Sequence, residues 1–141
     1  METIYAIVIT YFPNYAKLKN QKDALINQVD RIIYVDNGSK EQNKIHQAIG
    51  GDCVFLGQST NLGIAFAQNI GIKKAISLGA THILLMDQDS IPKGNMVKEL
   101  LKHIKKDSKL ACVGPRIIMR IIPIKYIMDL KLLDVEYTNI P

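Results

Sequence analysis

Short apolar runs, the first of them rich in β-branched residues, recur along this chain, most of them broken by a polar turn and followed by a stretch with helical spacing. No other feature constrains the fold as much. Ile4–Thr10 is nearly all apolar, as a strand buried on both faces requires. Tyr11-Phe12-Pro13-Asn14 breaks it, and Asn14 can cap a helix in which Tyr15, Leu18, Leu25, Ile26 and Val29 fall near helical spacing. Arg31–Val35 is a second strand, closed by the turn signal Asp36-Asn37-Gly38-Ser39. Lys40–Ile49 predicts a short helix, and Cys53–Leu56 a third strand. From Asn61 a helix runs to about Leu78 and stops at Gly79. His82–Met86 reads as a buried fourth strand that ends in Asp87-Gln88-Asp89-Ser90-Ile91-Pro92. Met96, Val97, Leu100, Leu101 and Ile104 stripe one face of a further helix, opposed by Lys98, Lys102, Lys105 and Lys106. Leu110–Val113 is a fifth strand, closed by Gly114-Pro115. Alternating strands and helices imply right-handed crossovers, hence an α/β fold with a mostly parallel sheet and helices on both faces.

The 141 residues suffice for one domain with a real core, expected over residues 1–115. Residues 116–141 form a divergent tail, greasy but interrupted by charges and Pro123. It reads as an edge strand plus helix, as an interfacial segment, or, best, as a tail whose packing partner lies in a missing portion of chain. A formal charge of +5 suits an anionic ligand or an anionic membrane surface. Without an arginine-rich or aromatic-interleaved stripe, nucleic acid is not an expected partner. Cys53 and Cys112, each inside an apolar run, predict two buried thiols and a reducing, cytoplasmic compartment. Neither a secretory leader nor an apolar run long enough to span a bilayer is evident.

In an open parallel sheet, ligands bind outside the carboxyl ends of the strands. The polar residues gather there: Thr10 after the first strand, Asp36 and Asn37 after the second, Asp87 and Asp89 after the fourth. On an extended backbone Asp87 and Asp89 point to one side and Gln88 to the other. Two neighbouring carboxylates suit Mg²⁺ or Mn²⁺ completed by water and phosphate oxygens, although Asp and Ser are also ordinary turn residues. Asp36 can accept from the N3–H of a pyrimidine, Phe12 or Tyr11 can lie on the base face or pack in the core, and Thr10 can bond base or ribose. Gly63 and Gly71 either let the helix approach the sheet while Asn61 caps it, or the segment uses Asn61 and Asn69 to reach ribose and diphosphate. His46, His82 and His103 form no triad or zinc spacing. The absence of Gly-x-Gly-x-x-Gly and Walker motifs disfavours dinucleotide oxidoreductases and ATPases.

Ile9-Thr10-Tyr11-Phe12-Pro13, Val35-Asp36-Asn37-Gly38-Ser39, Asn61-Leu62-Gly63 with Asn69-Ile70-Gly71, and Asp87-Gln88-Asp89-Ser90 together resemble the family 2 inverting glycosyltransferases, closest to their bacterial rhamnosyltransferase branch. The resemblance covers residues 4 to about 116. It implies a Rossmann-like nucleotide-diphospho-sugar transferase fold of the glycosyltransferase A type, here apparently truncated. It also implies transfer of a sugar, with inversion, from a dTDP- or UDP-sugar to a glycan or lipid-linked acceptor at the inner face of the membrane, with room for peripheral membrane association. By the same resemblance Thr10, Phe12 and Asp36 serve base and ribose, Asp87 serves ribose, diphosphate and metal, and Asp89 is the direct ligand of Mg²⁺ or Mn²⁺. The family's catalytic base comes from a second half that the last stretch does not resemble; Asp129, Asp134 and Glu136 carry no supporting motif. Gln68 stands where many relatives carry arginine. A non-catalytic nucleotide-sugar-binding fragment is the alternative. A haloacid-dehalogenase-type phosphotransferase is disfavoured, because its Asp-x-Asp follows the first strand, not the fourth.

Overall fold

The computed structural model describes residues 2–107 and 109–115. Four strands and four helices alternate: β1 (Ile4–Thr10), α1 (Tyr15–Leu25), β2 (Arg31–Asp36), α2 (Gln42–Ile49), β3 (Val54–Gly57), α3 (Ile64–Ser77), β4 (His82–Asp87) and α4 (Met96–Ile104). The sheet is wholly parallel in the order β3-β2-β1-β4. Parallel neighbours cannot be joined by a tight turn, so each connection crosses a face of the sheet and carries its helix there.

Side-chain alternation along the strands divides the core into two layers. Ala6, Val8, Ile32 and Tyr34 face Leu18 and Leu25 of α1 and Ile45 and Ile49 of α2. Tyr5, Ile7, Ile33 and Val35 face Ala67 and Ala75 of α3. Each fully buried aliphatic side chain contributes about 2 kcal/mol of transfer free energy. Of the expected α1 stripe, Leu18 and Leu25 are buried with Tyr15 and Val29 packed against the same layer, Gln21 is buried beside them, and Ile26, past the helix end, is exposed. Asn14 does cap α1, accepting from the Lys17 N–H at 3.1 Å.

Gly71 is where α3 crosses the sheet. A Cβ there would stand 2.5 Å from Ile7 Cγ2 and 3.2 Å from Val35 Cγ2, so only glycine permits this approach. Gly63 does not share the expected packing role. Its Cβ position is open space, but its φ of 86° is a left-handed value that glycine adopts without steric cost.

Four further expectations are corrected. Leu110–Val113 is not a fifth strand but irregular chain, and Cys112 within it is exposed; only Cys53 is buried. An apolar run becomes a strand only when it pairs with a neighbour, and Leu110–Val113 pairs with no strand of the described sheet, the open edge of β4 included. Nor is β4 buried on both faces. Its residues alternate, with Ile83 and Leu85 exposed at 37% and 46%, because β4 is the edge of the described sheet. Finally, the strand stops at Asp87, and Gln88 and Asp89 form a turn, so the two-residue alternation that would set Gln88 opposite both acids does not reach Asp89. Residues 116–141, with the tail readings and with Asp129, Asp134 and Glu136, lie outside the described residues.

Candidate active site

The strand order fixes where a ligand can enter. The chain builds outward from β1 to β2 to β3, then returns to place β4 on the other flank of β1. The two neighbouring crossovers therefore part between β1 and β4, and at such a switch point a crevice opens beyond the carboxyl ends. A cleft of about 400 Å³ lies there, within the usual size range of ligand pockets. Ile9 of β1 and Tyr11 just past its end, Met86 and Asp87 of β4 with Gln88 and Asp89 of the turn after it, and Ile64 and Gln68 from α3 line it, with Asn37 and Asn61 closing one side. Among the described residues its only charged lining residues are Asp87 and Asp89.

Beside the cleft Tyr11 and Phe12 make an exposed aromatic pair, ring centroids 4.6 Å apart and planes at 70°. Their exposures are 44% and 56%. Phe12 stands at φ 45°, which costs a residue with a Cβ about 1–2 kcal/mol. Side-chain bonds hold the turn: the Phe12 N–H donates to Ser39 Oγ at 2.8 Å, and the Tyr11 N–H to Gln88 Oε1 at 2.8 Å.

Beneath the aromatics lies a buried polar frame. Asp36 has no solvent exposure and accepts three hydrogen bonds: from Thr10 Oγ1 at 2.9 Å, from the Ser39 N–H at 2.8 Å and from Ser39 Oγ at 2.7 Å. Asn37 spans the next gap, donating from Nδ2 to Asn61 Oδ1 at 2.9 Å and accepting the Leu62 N–H at 2.9 Å. Asn61 also accepts the Gly63 N–H at 2.9 Å. The residue at the start of α3 is thus Gly63, and no side chain caps the helix. Its first-turn N–H groups keep the partial positive charge that attracts anions.

The acid end is open. Asp87 and Asp89 are exposed, and neither has an ion-pair partner among the described residues. Their backbone, by contrast, is anchored: buried Gln21 donates from Nε2 to the Asp87 carbonyl at 2.5 Å and to the Ser90 carbonyl at 2.6 Å. Among the described residues no three His, Cys, Asp or Glu side chains gather to hold a metal. The donor set is two hard carboxylates on an open cleft, which fits Mg²⁺ or Mn²⁺ sharing its shell with water and diphosphate oxygens.

The model of the glycosyl transferase family 2 domain matches residues 6–126, most of the chain. The chain belongs to that family. It is 33% identical over 120 residues to the dTDP-rhamnosyl transferase RfbF of Shigella flexneri, covering 83% of this chain and 39% of the relative. It is 31% identical over 122 residues to the galactofuranosyltransferase GlfT1 of Mycolicibacterium smegmatis, covering 82% and 39%. Among solved structures it resembles TarS 1–349 of S. aureus, with a TM-score of 0.53 and 21% identity over 74% of this chain and 32% of that one. The likeness to TarS bears out the glycosyltransferase A type of fold. This family 2 chain spans about two fifths of the length of the curated relatives it matches.

Of the residues picked from the family 2 motifs, Asp87, Asp89, Asn61 and Phe12 stand in or beside the cleft, with Gly63 opening α3 next to it. Thr10 and Asp36 are brought together on the same rim but beneath the surface, bonded to each other rather than open to the cleft. Asn69 is exposed on α3 and does not line the cleft. Asn61 ties the loop to Asn37 and Gly63 instead of capping α3. Gln21, Ser39 and Gln88 escaped the sequence reading as anchors. Gln21 left a trace, a polar residue in line with Leu18 and Leu25; the bonds of Gln88 to a partner 77 positions away left none.

Proposed function

We propose that this chain is the donor-binding half of an inverting, metal-assisted glycosyltransferase that takes a pyrimidine-diphospho-sugar, dTDP- or UDP-linked, and passes its sugar to a glycan or lipid-linked acceptor. One observation carries the reading: among the described residues the switch-point cleft is lined by two carboxylates and no other charge. A diphosphate is itself anionic, so it can enter such a cleft only with a cation between. Asp89 and Asp87 would hold Mg²⁺ or Mn²⁺, which when bound offsets the charge building on the departing nucleotide diphosphate. The uncapped start of α3 meets the diphosphate from the other side with backbone N–H groups. Tyr11 and Phe12 offer the base a face to stack on. A pyrimidine N3–H reaching Asp36 would replace one of the three donors that now hold it. The relative in S. flexneri favours rhamnose as the sugar.

The free thiols of Cys53 and Cys112 fit a reducing, cytoplasmic setting. No helix among the described residues is long and apolar enough to cross a membrane. The lysines of α4 suit peripheral contact with anionic lipid, where a lipid-linked acceptor would lie.

Calorimetric titration with dTDP-rhamnose, with Mn²⁺ and with EDTA, tests the reading. Binding that needs the metal and disappears in Asp89→Ala is expected. Binding indifferent to both changes overturns it. A second reading, a nucleotide-sugar-binding chain without turnover, rests on the two fifths of the relatives' length that the chain spans. Metal-dependent binding with no transfer to any acceptor and no donor hydrolysis selects it.

A further inference from the structure

The β1–β4 ladder has its last registered pair at Ile9 and Asp87. There the backbone of β4 turns away, while β1 runs on into Tyr11 and Phe12. Gln88 carries the pairing one step further with its side chain. Its Oε1 accepts the Tyr11 N–H at 2.8 Å, and its Nε2 donates to the Tyr11 carbonyl at 3.2 Å. A carboxamide presents one acceptor and two donors in a plane, so it can satisfy both backbone groups of one residue, as a neighbouring strand would.

Phe12, the next residue, is the one held at positive φ, and its N–H is fixed by Ser39, which is itself bonded to Asp36. The aromatic pair is thus pinned from both ends. Ser39 ties it to the buried frame on β2, and Gln88 ties it to the turn that carries the acids. Gln21 holds that turn from below through the carbonyls of Asp87 and Ser90. A displacement of the acid turn would therefore pull on the Tyr11 backbone through the Gln88 amide.

We propose that Gln88 is a positioning residue that locks the Tyr11–Phe12 shelf to the Asp87–Asp89 turn, so that the place where a nucleobase stacks is set relative to the place where its phosphates and metal are held. The inference rests on the donor-binding reading above. The amide itself is required. Glu at this position would turn a second oxygen toward the Tyr11 carbonyl and add a third carboxylate between two acids. Alanine would leave both Tyr11 groups unpaired.

Two readouts on Gln88→Ala and Gln88→Glu test it. In the free protein, exchange of the Tyr11 amide hydrogen should speed up about 3- to 10-fold in Gln88→Ala, the loss expected when a hydrogen bond of ordinary strength is removed, and by less in Gln88→Glu, whose carboxylate still offers that N–H an acceptor. The amides of Ile7 and Val8 should keep their protection, which shows that the sheet is intact. Affinity for dTMP, which lacks the diphosphate, should fall about 5- to 10-fold in Gln88→Ala, while titration with Mn²⁺ alone should match the wild type. Unchanged Tyr11 exchange overturns the clamp. A wild type that binds dTMP no better than Gln88→Ala overturns the positioning role while leaving the donor reading intact. A wild type that binds no pyrimidine nucleotide overturns the donor reading, and the exchange comparison then decides the clamp by itself.

Discussion

The carboxylates on the two flanks of β1 are treated in opposite ways. On the β2 side Asp36 is sealed from solvent and holds three donors, so its charge is spent inside the protein. On the β4 side Asp87 and Asp89 face the cleft with fixed backbones and uncommitted side chains. Both ends lie on one rim, one strand apart from β1. The difference separates two jobs that a motif reading merges. A buried acid holding three donors organises the loops around it; an open pair with no ion-pair partner among the described residues leaves its charge for something that arrives from solution.

Asp36→Ala tests the buried end hardest. It strands the Ser39 N–H and hydroxyl and the Thr10 hydroxyl, and unfolding by urea should show a loss of about 2–4 kcal/mol. Gly71→Ala asks whether the rigid frame extends to α3. With Ile7 Cγ2 2.5 Å from the new methyl, the helix must lift from the sheet, at a cost of about 1–3 kcal/mol in thermal melting. The interior behind the frame should also answer to pH. Burial pushes the Tyr34 phenol well above its ordinary value and the Cys53 thiol up as well, so both stay protonated in the folded protein at pH values where the unfolded chain ionises. Their contribution is therefore whole below about pH 8.5 and is lost as pH rises above that, by at most about 1.4 kcal/mol per pH unit for each group. Tyr34→Phe should flatten the part of this slope above about pH 10. At neutral pH the same change should be neutral or slightly stabilising, by about 0–1 kcal/mol, because the buried Tyr34 hydroxyl has no partner among the described residues. The smallest stability effect belongs to the open end: Asp89→Ala should stay within about 0.5 kcal/mol of wild type, whatever it does to metal-dependent binding. A loss as large as that of Asp36→Ala would erase the contrast.

The scaffold was legible because its signals are local. Four short apolar runs each ended at polar or glycine turn residues, and the residues at those ends converge on one rim. Leu110–Val113 carried the same local signal but not the neighbour a strand needs. At the site, residue types marked the rim but not the depth. Nothing around Asp36 in sequence says that Thr10, 26 positions away, would donate to it, or that Gln88 would bond the backbone of Tyr11, 77 positions away. Such bonds join distant strands and become visible only when the sheet exists.

The free flank of β4 has a practical consequence. Among the described residues no strand pairs with its outer edge, and Ile83 and Leu85 lie open on that strand. Backbone groups in that position bond readily to any extended polypeptide that comes alongside, its own copies included. Handled at high concentration, the protein should gather into larger species through this margin, and a lysine in place of Leu85 should keep it dispersed.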